Sequence, residues 1–173
     1  EAEPKAAVAI NMMQAEMKLQ AAEYKQALAL LIQAKSNVPG HPHVLTLLSQ
    51  AYQGLNDWDT LLELLPQLRK HKQLSSEAFQ RLEKQVHHNR LQRCNADLDR
   101  LHAIWKKVPK PLQSDADIVE TYVHNLIRGE DYDSAERVIL RAVKQEWQPA
   151  LVREYGYVKG QNASRQLSQA EKW

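Results

Sequence analysis

Two histidine pairs and one cysteine are the side chains of this chain best suited to holding a metal ion. His41 and His43 form an H-x-H, His87 and His88 are adjacent, and Cys94 follows them closely. Imidazole and thiolate are the usual ligands of zinc and of haem iron, but each pair stands without a second pair to complete a site. The expectation for His41, His43, His87 and His88 is therefore an exposed or interhelical histidine. Cys94, next to Asn95, has no activating neighbour in the sequence and is expected to be an inert thiol. A single cysteine closes no internal disulfide and is silent on redox compartment. There is no H-E-x-x-H, no Walker A loop, no G-x-S-x-G and no paired-cysteine zinc spacing. The chain is accordingly expected not to be an enzyme, with no catalytic, cofactor-binding or metal site.

The elements that would carry these residues are helices, and they repeat. Tyr24, Ala27, Leu31 and Ala34 run toward Pro39, and Trp58, Leu61, Leu65 and Leu68 stand 34 residues later in the same relation. The spacing recurs at Tyr132, Ala135, Ile139 and Ala142. A 34-residue unit with an aromatic residue opening its second helix and a proline near its end is the tetratricopeptide (TPR) pattern. Leu45, Leu48, Ser49 and Tyr52 occupy the places of W, L, G and Y on a first helix, whereas Leu61 replaces the usual alanine and Gln73 the usual proline. The predicted fold class is all-α: a TPR-like α–α superhelix, a right-handed solenoid of antiparallel helix pairs, about ten helices in all. It reads as one domain over 1–173, with repeats at about 8–41, 42–74, 75–114 (enlarged and degenerate), 116–149 and 150–173 (partial), and it is expected to be truncated at both ends.

Local signals agree with that layout. The five glycines fall near predicted helix ends, where a left-handed residue closes a helix without a Cβ penalty. Ser114 is the expected cap of the following helix, with Asp115 and Asp117 in its first turn. Pro66 lies inside an apolar helical run and should kink or break it after Leu62. Tyr132 and Trp58, as helix-opening aromatics, should both be largely buried.

Charge is unevenly spread although the net formal charge is only +2. Between Arg69 and Lys110 there are eleven Lys or Arg against four acids, and between Asp115 and Glu136 seven acids against Arg128 alone. A basic run of this kind is most often a solvated helix face, and it also suits an acidic partner or anionic lipid. No nucleic-acid motif accompanies it, so no nucleic-acid partner is expected. With 43% apolar residues but no long apolar run, the sequence holds no membrane span.

In a TPR solenoid the first helix of each pair lines the concave face. The residues this places in a protein-binding groove are Met12, Glu16, Leu19, His43, Thr46, Gln50, Gln53, Glu120, His124 and Ile127. The Lys and Asn that clamp a partner's terminal carboxylates in some TPR domains are missing from these positions. A mixed, partly apolar groove suits a helix or an extended segment.

Three strings carry a resemblance. His41-Pro42-His43-Val44-Leu45, Asp57-Trp58-Asp59 leading into Leu64-Leu65-Pro66-Gln67-Leu68-Arg69-Lys70, and Leu151-Val152-Arg153-Glu154-Tyr155-Gly156 with Gln169-Ala170-Glu171-Lys172-Trp173 are similar to the HemY family. That family comprises bacterial inner-membrane proteins with two N-terminal transmembrane helices and a TPR domain, linked to a late step of haem (protoporphyrin) biosynthesis. The resemblance implies a soluble TPR portion lacking its membrane anchor. It also implies a non-catalytic scaffold whose partners are other proteins, haem-biosynthesis enzymes among them. The alternatives are a direct haem- or porphyrin-binding carrier and a TPR adaptor unrelated to haem.

Overall fold

The computed structural model describes residues 2–72, 74–160 and 162–173, with side chains from residue 7 onward. Gln73, which stands where the repeat pattern has proline, lies outside the described residues. The described chain holds ten α-helices and no strand: α1 (Ala2–Gln20), α2 (Tyr24–Asn37), α3 (Pro42–Leu55), α4 (Trp58–His71), α5 (Ser76–Gln92), α6 (Leu98–Trp105), α7 (Ala116–Arg128), α8 (Tyr132–Gln145), α9 (Pro149–Tyr155) and α10 (Ala163–Ala170), with a 3-10 turn at Leu112–Ser114 before α7. Tyr24, Trp58 and Tyr132 each begin a helix, as the spacing predicts. Short connections of this kind return each helix along its predecessor. Consecutive helices pack together from α1 to α4 and from α6 to α9, the packing order of a helical repeat.

Aspartates cap the starts of α4, α6, α7 and α8. Asp57, Asp97 and Asp131 accept the backbone N–H groups of Thr60, Arg100 and Ser134 at 3.1, 3.0 and 3.1 Å. Asp115 accepts from Asp117 and Ile118 at 3.2 and 3.3 Å. Each such cap contributes about 1 kcal/mol by satisfying donors that have no partner within the helix. The expected cap at Ser114 is thus displaced by one residue, because Ser114 closes the 3-10 turn and the stronger acceptor follows it. Pro42 and Pro149 open α3 and α9, where a missing N–H costs nothing.

The helix ends depart from expectation. Among the described residues only Gly40, at φ 77°, is a left-handed glycine, and the other left-handed positions are Ala22, Asn56, Lys72, Asn95, Ala96 and Glu130. Gly54 serves close approach instead, since a Cβ there would stand 2.3 Å from Cδ1 of Tyr24. At Gly129, with φ −85°, it would stand 2.6 Å from Cδ2 of Leu98. Pro66 does not break α4, which runs through it from Trp58 to His71. The proline removes one N–H on an exposed face, and the buried row Leu61, Leu64, Leu65 and Leu68 holds the helix together across the gap.

The chain divides into two compact units, Glu1–Val86 and His87–Trp173. In the first, Leu31, Leu45, Leu48, Leu61 and Leu68 are fully enclosed, with Trp58 and, from α5, Phe79, Leu82 and Val86 in the same core. In the second, Leu91, Leu101, Ile118, Leu126, Ile139 and Leu151 are enclosed, with Tyr122 and Tyr155 beside them. Each such aliphatic side chain contributes about 1.5–3 kcal/mol on leaving water. Trp58 is only 5% exposed, as expected. Tyr132, expected to be largely buried like Trp58, is only partly so. It packs against the second core from its edge, as suits a ring with a polar tip.

Candidate protein-binding surface

In the first unit α1 and α3 touch, and these two helices carry the groove positions. His43 Nε2 and Glu16 Oε1 are 2.6 Å apart, and both side chains remain nearly half exposed. Met12 and Leu19 are half-buried and pack on the core. Thr46 Oγ1 donates to the Pro42 carbonyl at 3.2 Å, and Gln53 Nε2 to the Ser49 carbonyl at 3.2 Å. Those two side chains are therefore turned partly toward their own helix. Gln50 is exposed.

The second unit repeats the arrangement with α7 and α9, which also touch. Glu120 is half-buried, Ile127 packs on the core, and His124 is exposed on α7. His124 Nδ1 lies 3.6 Å from Glu154 Oε1 on α9, an ion pair whenever the imidazole is protonated. Both units thus join two first helices through a histidine and a carboxylate. Glu154 was not among the expected groove residues, although its place on the first helix of the fifth pair was the available signal.

A second polar cluster had no sequence signal. His102 on α6 meets the Tyr122 hydroxyl through Nδ1 at 3.0 Å and the Asp131 carboxylate through Nε2 at 3.1 Å. Tyr122 stacks on Trp105 with ring centres 3.9 Å apart and planes 3° from parallel. Burial, and then the Asp131 charge, push the Tyr122 phenol up to about 12, so it stays protonated at neutral pH. Partial burial alone would raise the Asp131 carboxyl, but hydrogen bonds from Ser134 and His102 hold it below its usual range. The cluster ties α6, α7 and the start of α8 into one piece. Its members are 20 and 29 residues apart, which no motif reports.

The histidine and cysteine candidates are dispersed. His41 precedes α3 with a buried, unpartnered Nδ1, and His43 is engaged with Glu16. His88 is half-buried, and the Cys94 thiol is buried and donates to the Arg90 carbonyl at 3.4 Å. Among the described residues no group of three or more His, Cys, Asp or Glu is arranged to hold a metal ion. His87 is 2% exposed, and its pKa is lowered to about 4 by desolvation first and by Arg90 second. An unfolded histidine titrates near 6.5, so between about 6.5 and 4 the unfolded chain binds the extra proton. Stability should therefore fall as pH drops through that window, and His87→Leu should flatten the dependence. Urea midpoints measured from pH 7 to 4 check this, and parallel curves for the two proteins would refute it.

Helices packed in chain order, with a polar row exposed where first helices meet, define an all-α helical-repeat protein. The chain is similar to Protein HemY of Escherichia coli K12, with 27% identity over 116 residues, which cover 66% of this chain and 29% of the relative. The same figures hold for Protein HemY of Escherichia coli O157:H7 and of Shigella flexneri. The match therefore spans less than a third of the length of these curated relatives. No family model and no solved structure matches the chain. Among the described residues no helix is long and apolar enough to cross a membrane.

Proposed function

We propose that this chain is a TPR-type, non-catalytic scaffold that holds partner proteins on its first-helix surface, in association with late haem (protoporphyrin) biosynthesis at the bacterial inner membrane. The observation that carries the scaffold reading is the shared build of the two units. Each brings two first helices together beneath polar side chains, exposed Gln50 with the nearly half-exposed Glu16 and His43 in one, and exposed His124 over the mostly buried Glu154 in the other. Polar side chains set over a packed apolar floor give a partner both contact area and direction. The similarity to Protein HemY supports the haem association, and the inner-membrane location is what the resemblance to the HemY family implies.

The test is capture of late haem-synthesis enzymes from solubilised bacterial membranes by the chain and by Gln50→Arg/His124→Glu. The double variant places a cation and an anion on exposed positions, and capture should fall about tenfold or more, with helicity and melting point measured alongside because the new carboxylate at 124 faces Glu154. Equal capture by both proteins would sink the first-helix surface as the binding face.

A further inference from the structure

We propose that the pocket beside Trp105 docks a short acidic segment of a partner protein. This rests on the scaffold reading and names the chemistry of one contact. The pocket, of about 540 Å³, lies between the end of α6, the 3-10 turn, α7 and the last turns of α8. Its floor is fixed: Gln113 Nε2 donates to the Trp105 and Val108 carbonyls at 3.3 and 3.0 Å, and Trp105 is braced by its stack on Tyr122. Lys110 and Arg141 line it, both exposed, against the single acid Glu146. On a second cavity that also reaches Trp105 stand Lys106 and Lys107, opposed by Asp99.

Four exposed cations therefore line the two cavities that reach one half-exposed indole, a set divided between both cavities rather than gathered in one. An extended chain with alternating acids can reach successive members of it, and the indole and Val138 give its apolar parts a seat.

The test is selection from a random hexapeptide library, blocked at both ends, on the immobilised chain at low ionic strength. Captured peptides should be enriched in Asp and Glu at two or more positions. The best of them should bind Lys110→Glu/Arg141→Glu about tenfold or more weakly, with unchanged helicity and melting point, and bind Gln50→Arg/His124→Glu as well as the parent. That last comparison keeps failure of this site distinct from failure of the first-helix surface. Selection without acid enrichment, or equal affinity for the charge-reversed pocket, would overturn the proposal. Displacement of the peptide by equimolar glutarate would assign the pocket to small dianions and overturn it as well.

Discussion

Trp58→Ala should destabilise the chain by roughly 3–5 kcal/mol, the usual cost of truncating a buried aromatic residue. The indole opens α4, is 5% exposed, and shares a core with Leu31, Leu45, Leu61 and Leu65. Its removal leaves a cavity among side chains from several helices, which cannot all move inward together. The melting midpoint should drop by about 6–20 °C. Trp58→Phe separates packing from polarity. The indole Nε1 is buried without a partner, so phenylalanine keeps most of the apolar contact and removes an unsatisfied donor. Its loss should be a small fraction of that for alanine. Tyr132→Ala, at the matching but half-buried position, should lie between them. A Trp58→Ala midpoint equal to the parent's would show that the ring does not sit in this core.

Gly54→Ala should also destabilise, against the intrinsic trend. In an exposed helix alanine is favoured over glycine by about 1 kcal/mol. Here the new methyl would stand 2.3 Å from Cδ1 and Cε1 of Tyr24, so the ring or the α3 backbone must move, at about 1–3 kcal/mol or more. The sign should reverse when the ring is absent. Tyr24→Ala/Gly54→Ala should be more stable than Tyr24→Ala alone, because only the propensity gain remains. A double-mutant cycle by urea denaturation reads this coupling directly, and additive effects would mean that the two residues do not touch.

What the sequence made legible was what depends on period. The apolar spacing and the aromatics that open α2, α4 and α8 are local signals, and they placed the helices. Features decided by three-dimensional neighbours were not legible. Gly54 and Gly129 do stand at helix ends, but not in the left-handed conformation expected there, because a missing side chain looks the same whether it permits positive φ or admits a neighbouring side chain. Pro66 read as a kink or a break, and what spacing could not show is that the burial of Leu64, Leu65 and Leu68, a tertiary effect, keeps α4 continuous through it. Ser114 and Asp115 are both good caps, and only the 3-10 turn before α7 decides between them. Of the expected groove, Glu16 and His43 do meet, but Thr46 and Gln53 bond back to their own helix, a local alternative that spacing cannot exclude. The His102, Tyr122 and Asp131 cluster joins three helices without any motif.

The thiol of Cys94 has a use unrelated to ligand binding. It is the chain's single cysteine, it is 3% exposed, and it sits just past the end of α5 with its proton directed at the Arg90 carbonyl. A thiol reagent can reach it only when that helix end opens, so the labelling rate measures the free energy of one local fluctuation rather than of global unfolding. The protein therefore carries its own kinetic gauge of breathing at the α5 terminus, readable without any engineered probe.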